Sequence, residues 1–304
     1  MKLWIDTDAG VDDATAILIC LNCPDVEIVG ISCVGGNASL QNVIRNVNRT
    51  LKVWGKTDIP IYAGCSKALI QPSMEIPEIH GKDGLGDIDD KSYGIDTPIM
   101  LEKEHAVNAL IDACNKYEDL NVLCLAPLTN IACALRMNQE ALLKIKNLYI
   151  MGGAEDCVGN TSPYAEFNWR ADPEAAHIVL ESFPQAKTTI ISWTLTVTCS
   201  WQPKTFDVCY LEGTELRRFV KETWNATLTY CKGIFYPADP LAAFVACYGD
   251  KAVTKSERLR LSIVLHGEKI GMSPGVPDEN GCLVIKNCDR DFFIDVLRKL
   301  QDHR

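Results

Sequence analysis

The amino-acid sequence predicts an α/β protein whose open, mostly parallel sheet is flanked by helices. Short apolar runs rich in Val and Ile alternate with longer stretches of helical periodicity, which is typical of β-α-β units. The chain has 304 residues, of which 47% are hydrophobic, so it can bury one large core. Because neither a polar linker nor an internal repeat divides it, we expect a single domain over residues 1–304.

The pattern of apolar side chains places the elements in chain order. Continuous or alternating apolar runs predict strands at residues 3–6, 27–34, 60–62, 121–125, 147–151 and 188–192. Apolar side chains at helical spacing predict helices at 13–22, 40–54, 105–116, 131–137, 173–180, 216–232 and 239–248. A strand pair near 259–265 and 281–285 precedes a final helix at 290–301. The carboxyl ends of the parallel strands then share one sheet edge, where such folds bind ligands.

The charge balance excludes some partners. Lys and Arg number 30 against 40 Asp and Glu, so the formal net charge is −10 and phosphate backbones are repelled. No apolar run reaches the roughly 18 residues of a membrane span. The chain starts directly with an apolar strand pattern, which leaves no room for a signal peptide. We therefore expect a soluble cytoplasmic protein with neither nucleic acid nor membrane as a partner.

The fourteen cysteines fall mostly inside apolar runs and predict buried thiols of a reducing compartment. Cys20 and Cys23 form a CxxC sequence, but no second pair follows at zinc spacing. The end of an amphipathic helix is therefore favoured there over a metal or redox site.

Residues 6–14 read DTDAGVDDA and place four carboxylates at the junction of the first strand and first helix. Crowded carboxylates repel one another, and oxygen ligands suit calcium or magnesium. The EF-hand pattern fails, because Val11 and Ile17 stand where it needs Gly and Glu. Helix capping by Asp12 and Asp13 is the alternative, but capping accounts for one or two acids and not four. The sequence therefore predicts a cation site.

The same segment resembles the DxDxGxDDA motif of the nucleoside hydrolases. Seven later segments are similar to that family in order and spacing, namely residues 36–37 (GN), 79–81 (IHG), 127–130 (PLTN), 151–153 (MGG), 159–160 (GN), 165–168 (AEFN) and 172–176 (DPEAA). The resemblance implies a Rossmann-like nucleoside hydrolase fold and calcium-dependent hydrolysis of ribonucleosides to ribose and free base. It further implies a role in nucleoside salvage and a homodimer or homotetramer. We also expect a leaning towards purine nucleosides.

The resemblance also implies roles for individual residues. Calcium would be held by Asp8, Asp13, Asp239 and the backbone carbonyl of Leu125, with Asp8 as general base for the attacking water. The positions that match substrate-binding residues of the family are Asp12, Asn37, Met151, Asn160, Glu166, Asn168 and Asp239. The amides could instead be turn residues, Glu166 and Asn168 could cap a helix, and Met151 could belong to the core.

Activation of the leaving base is where the chain departs from the family. Many members have His directly before the C-terminal calcium Asp, whereas this chain has Ala238. Residues 80–86 (HGKDGLG) predict a flexible loop, and the resemblance implies that this loop closes over the nucleoside with His80 near the base. We therefore assign leaving-group activation to His80 or to an aromatic ring such as Trp193 stacked on the base; an exposed loop histidine is the alternative for His80.

Two other functions fit parts of the pattern. Phosphatases of the haloacid dehalogenase type also use a strand-end Asp-x-Asp, but they need a basic phosphate cradle that the strand-end turns lack. A catalytically silent nucleoside- or ribose-binding protein is allowed by Ala238. The intact acids argue against such a protein.

Overall fold

The computed structural model describes residues 1–93, 99–202 and 214–300. Its strands are β1 (Lys2–Thr7), β2 (Glu27–Cys33), β3 (Ile61–Ala63), β4 (Leu120–Cys124), β5 (Asn147–Met151), β6 (Thr188–Ile191), β7 (Val253–Leu261), β8 (Gly275–Pro277) and β9 (Cys282–Cys288). They form one sheet in the order β3-β2-β1-β4-β5-β6-β9-β7-β8. Neighbours from β3 to β9 run parallel, and β7 pairs antiparallel with both β9 and β8. The predicted open, mostly parallel sheet is thus confirmed.

Helices cover both faces of this sheet. They are α1 (Val11–Asn22), α2 (Leu40–Trp54), α3 (Pro77–His80), α4 (Ala106–Lys116), α5 (Thr129–Met137), α6 (Gln139–Leu142), α7 (Phe167–Ala171), α8 (Pro173–Ser182), α9 (Trp193–Thr198), α10 (Glu215–Tyr230), α11 (Ala238–Tyr248) and α12 (Arg290–Leu300). One apolar cluster includes side chains of α1, α2, α10, α11 and α12, and a second those of α4, α5 and α8. No helix in the described part of the chain is long and apolar enough to cross a bilayer.

Two features of the fold place the site. The carboxyl ends of β1, β2, β4 and β5 lie side by side, with Thr7 opposite Cys33 and Asp6 opposite Cys124. Helix α11 packs along α1, and both helices are buried over most of their length. This packing brings the first turn of α11, which contains Asp239, to the strand-end turn after β1.

Several boundaries differ from the predicted ones for physical reasons. The strand predicted at 259–265 was misplaced: β7 already starts at Val253, and its mostly exposed first half carries polar side chains that hide the strand pattern. The strand predicted to reach Ser192 ends at Ile191, because the Ser192 hydroxyl accepts the Leu195 N–H and caps α9. Helices α3, α6, α7 and α9 have only four to six residues, too few for a periodicity to show. Residue 301, the predicted end of the last helix, lies outside the described residues.

The described cysteines are free thiols, and many are buried. Cys20 lies in the last turns of α1 and Cys23 caps its C-terminus, as the helix-end interpretation of the CxxC expects. The Cys20 thiol lies 3.8 Å from the Cys247 thiol of α11, so these sulfur atoms take part in the packing of the two helices.

Candidate active site

The turn between β1 and α1 is held by its own polar groups. Asp13 accepts the Gly10 N–H at 2.9 Å and so caps α1, and its other carboxylate oxygen accepts the Thr7 hydroxyl at 2.5 Å. The Thr7 hydroxyl also accepts the Ala9 N–H at 3.0 Å. Ala9 has a φ of 35°, in the left-handed region that non-glycine residues rarely adopt. Helix capping is therefore real for Asp13, but it engages only part of the acidic segment.

Asn37, which follows β2, joins two of the acids. Its backbone N–H and side-chain amide donate to the two oxygens of Asp8 at 2.7 and 3.0 Å, and the same amide lies 3.1 Å from a carboxylate oxygen of Asp13. A Cβ on Gly36 would lie 2.1 Å from an Asp8 oxygen, so only glycine allows this approach. Gly36 and Asn37 thus orient Asp8 and do more than form a turn.

Three carboxylates form a group that could hold a metal ion. Oxygens of Asp12, Asp13 and Asp239 all lie within 4.8 Å of one another. The Oδ1 atom of Asp12 is buried and has no hydrogen-bond partner among the described residues. Asp8, predicted as a ligand, lies outside this group, and Asp12, predicted to bind substrate, belongs to it. The group combines the oxygen donors that calcium accepts with an unused acceptor, so its residues fit such a cation.

Burial makes this cluster costly without a cation. Burial, reinforced by the charges of Asp13 and Asp12, raises the pKa of Asp239 well above its usual range. Burial also raises the pKa of Asp12 to about 6. A divalent cation would offset the repulsion, because it compensates several ionised carboxylates at once.

A cavity of about 600 Å³ opens beside the carboxylates and combines two kinds of lining. Its polar side chains include Asp12, Asn37, Asn160, Glu166, Asn168 and Asp239, and its apolar and aromatic ones include Met151, Trp193 and Tyr236. The Trp193 and Tyr236 rings stack with centroids 5.4 Å apart. His80 and Leu125 line the same cavity, whereas Asp8 and Asp13 are not among its lining residues. The structure thus brings every predicted substrate-binding residue to one cavity.

Glu166 and Asn168 connect the ends of the central strands. Glu166 accepts the Asn168 N–H at 2.7 Å and the Gly153 N–H at 2.8 Å, and it caps α7. The Asn168 amide donates to the carbonyls of Leu125 at 2.9 Å and Met151 at 3.1 Å. Burial raises the pKa of Glu166 to about 7. Glu166 therefore caps α7, whereas Asp172 itself caps the helix expected at residues 172–174, and Glu166 still faces the cavity.

His80 is not the exposed loop histidine of the alternative interpretation, whereas the flexibility of residues 80–86 stays a prediction. His80 is buried at the end of α3, and its Nδ1 accepts the Val11 N–H at 3.1 Å. A Cβ on Gly10 would lie 2.7 Å from that nitrogen, so glycine is needed where His80 packs on the acidic turn. Burial lowers the pKa of His80 to about 4, so the imidazole is neutral at pH 7 and carries its hydrogen on Nε2.

Several residues that the structure places at the site had no individual role in the sequence-based prediction. Asp6 accepts hydrogen bonds from Ser32 and, at 2.8 Å, from Asn130, and burial raises its pKa to about 7. The Thr7 hydroxyl links Ala9 to Asp13. Lys232 is the single Lys or Arg among the described residues that line the cavity. The position of Thr7 between two acids and that of Asn130 in the PLTN segment were sequence signals that could have identified these residues. No local sequence pattern indicates a role for Lys232.

Fold and site together define the class: an α/β protein with a small-molecule cavity above an acidic cluster at its strand ends. Residues 3–295 match the family described as inosine-uridine preferring nucleoside hydrolase. The chain is 34% identical over 281 residues to the inosine-uridine preferring nucleoside hydrolase of Crithidia fasciculata, which covers 90% of this chain and 86% of that protein. The chain therefore belongs to the inosine-uridine preferring nucleoside hydrolase family.

Further relatives differ in the preferences that their names state. The pyrimidine-specific ribonucleoside hydrolase RihB of Escherichia coli is 37% identical over 60% of this chain and 56% of that protein. A purine-preferring ribonucleoside hydrolase from Gardnerella vaginalis superposes with a TM-score of 0.88 at 27% identity, covering 100% of this chain and 99% of that one. An inosine-guanosine nucleoside hydrolase superposes with a TM-score of 0.89 at 26% identity, covering 100% and 99%. Membership of this family supports a nucleoside hydrolase and argues against the phosphatase of the haloacid dehalogenase type.

Proposed function

We propose that this protein hydrolyses the N-glycosidic bond of ribonucleosides with calcium as its metal, releasing ribose and free base with a preference for purine nucleosides. The observation that carries the proposal is the single cavity in which a cation-competent carboxylate group, several amides and a stacked aromatic pair meet. A ribose presents hydroxyls to acceptors and amides, and a base presents a flat apolar face. The cavity supplies both.

Asp12, Asp13 and Asp239 would hold the calcium, with the Leu125 carbonyl and Asp8 as the further ligands that the resemblance implies. When bound, the cation would lower the pKa of a coordinated water and anchor ribose hydroxyls. Both Asp8 oxygens are already oriented by Asn37. Held in this orientation, Asp8 would accept a proton from the attacking water.

The sugar would be held by side chains that the strand ends make rigid. Asn168 is fixed between two carbonyls, and Glu166 is fixed by backbone N–H groups, so neither has to be ordered when substrate binds. N-glycosidic cleavage develops positive charge on the ribose ring, and carboxylates near the ring stabilise it.

Ala238 lines the cavity and offers no proton to the leaving base. Trp193, which stacks on Tyr236, would instead contact the base and favour its departure. Neutral His80 could donate a hydrogen bond from Nε2, and its contribution remains a prediction. The aromatic pair also supports purine preference, because a two-ring base covers more of an aromatic surface.

Turnover of inosine, adenosine, guanosine, uridine and cytidine tests the proposal, with ribose and free base measured separately. We expect purine nucleosides to give the highest kcat/KM and a chelator to abolish turnover until calcium is restored. Inosine monophosphate should be a much poorer substrate, because the cavity is acidic and has Lys232 as its one described Lys or Arg. Release of phosphate would contradict the proposal, and tight binding without turnover would favour the silent binder.

The proposal also includes a cytoplasmic homodimer or homotetramer, with nucleoside salvage as its role. The oligomer and the role in salvage rest on the family resemblance, and the cytoplasmic location rests on the thiols expected in a reducing compartment. Light scattering on the purified protein tests the oligomer, and a monomer at micromolar concentration would contradict it.

A further inference from the structure

Helix α2 contacts the acidic turn through Asn46, which does not line the cavity. The fully buried Asn46 amide donates to the Ala9 carbonyl at 3.1 Å and to the Asp83 carbonyl at 2.9 Å. Ala9 is the residue of the acidic turn with the left-handed backbone, directly after Asp8. One side chain therefore joins the turn after β1 to the segment after His80.

Arg49, one helical turn further along α2, fixes the orientation of this amide. Its Nη1 donates to the Asn46 carbonyl oxygen at 3.0 Å and to an Asp83 carboxylate oxygen at 2.6 Å. Its Nε lies 2.6 Å from a carboxylate oxygen of Asp90. Because the Arg49 donor occupies the Asn46 oxygen, the Asn46 nitrogen must face the two carbonyls. Arg49 is 1% exposed, so solvent hardly weakens these contacts.

The Ala9 turn determines where the carboxylates lie. The Ala9 N–H is held by Thr7, which also binds Asp13, and the Ala9 carbonyl is held by Asn46. Without the Asn46 contact, the left-handed conformation of Ala9 loses its hydrogen bond on the carbonyl side. The backbone can then relax, and the residues on both sides, Asp8 and Gly10, move with it.

We propose that Asn46, oriented by Arg49, is a positioning residue for the cation-binding carboxylates. The proposal rests on the calcium site of the proposed function and adds to it two residues that touch neither substrate nor cation. Outer residues that orient metal ligands typically contribute 10–100-fold to metal affinity. Asn46→Ala should weaken calcium binding by about that factor while the protein remains folded.

Asn48 provides a matched control on the same helix. Its amide donates to the Met100 carbonyl at 3.1 Å, and its oxygen accepts the Met100 N–H at 2.8 Å, so it also ties α2 to a neighbouring segment. Met100 is exposed and does not line the cavity. Asn48→Ala therefore removes a comparable contact without touching the acidic turn.

The experiment compares the full-length protein with Asn46→Ala, Arg49→Lys and Asn48→Ala. Calorimetry measures calcium affinity, and hydrogen–deuterium exchange measures protection of residues 7–14 in calcium-free buffer. We expect weaker calcium binding and faster exchange of that segment in Asn46→Ala, a smaller effect of the same kind in Arg49→Lys, and neither in Asn48→Ala. Arg49→Lys keeps the charge and decides the question if Asn46→Ala does not fold.

Unchanged exchange of residues 7–14 in Asn46→Ala and Arg49→Lys would overturn the proposal, as would unchanged calcium affinity where the unmodified protein binds calcium. A purely structural role predicts a lower melting temperature with the affinity of the folded protein intact, which also overturns it. If the unmodified protein binds no calcium, the calcium dependence of the proposed function is wrong. The exchange of residues 7–14 then decides the role of Asn46 by itself.

Discussion

Replacing Asp239 by Asn should change stability in opposite directions with and without calcium. Oxygens of Asp12, Asp13 and Asp239 lie within 4.8 Å of one another. At an effective dielectric constant of about 20, two full charges at that distance repel by about 3 kcal/mol. Because raised pKa values leave the cluster partly protonated, we expect Asp239→Asn to stabilise the calcium-free protein by about 2 kcal/mol.

Calcium should reverse the comparison. At a free concentration about 100 times its Kd, a bound ion stabilises the folded state by about 2.7 kcal/mol. Asp239→Asn removes one of three carboxylates in the group, so it should gain almost none of this. The unmodified protein should then be at least as stable as the variant, whereas in chelator it is the less stable of the two.

Thermal unfolding followed by circular dichroism, in chelator and in excess calcium, measures both signs. Asp58→Asn is the control, because its carboxylate is 77% exposed and should not respond to calcium. An Asp239→Asn protein that melts below the unmodified one in chelator would refute the electrostatic reasoning. Equal stabilisation of both proteins by calcium would refute the assignment of Asp239 as a ligand.

Three further predictions concern catalysis and pH. Asp8→Asn should lower kcat for inosine about 10²–10⁴-fold, and it should weaken calcium binding less than Asp13→Asn does. If the two variants lose calcium affinity and kcat to the same extent, Asp8 is a calcium ligand and not the general base. Trp193→Ala should impair inosine turnover far more than turnover of p-nitrophenyl riboside, whose leaving group needs no activation. The same comparison applies to His80→Ala, and equal losses on both substrates would assign either residue to binding or folding. In chelator, the free energy of unfolding should fall as pH rises from about 4 to about 7. The reason is that the fold raises the pKa of Asp6 and Glu166 to about 7 and so favours their protonated forms. Denaturant unfolding at a series of pH values measures this, and a free energy of unfolding that stays constant over this range would contradict it.

The sheet could be predicted because its information is local. Strands such as β5 (Asn147–Met151) are continuous apolar runs, and β5 was predicted with its exact bounds. The prediction misplaced β7 because the exposed side chains of its first half are polar, and four-residue helices such as α3 end before a helical period can be recognised. Local pattern therefore failed where an element is exposed or short.

The sequence predicts which residues form the candidate site better than it predicts their arrangement. A motif identifies residue types, so the amides and acids that line the cavity are all predicted from the sequence. The motif could not show that Asp12 joins the carboxylate group, or that His80 is buried against Gly10. Asn46 escaped notice because its partners, Ala9 and Asp83, are backbone carbonyls of segments distant in the sequence.

The packing of α1 against α11 makes the carboxylate group depend on both ends of the chain. Asp12 and Asp13 lie in the first turn of α1, and Asp239 lies in the first turn of α11, more than two hundred residues later. A nascent chain lacks this third carboxylate until the C-terminal helices have been synthesised and docked. Calcium binding should therefore report that folding is complete, and an ion released by local fraying would signal separation of the two helices before the sheet itself opens.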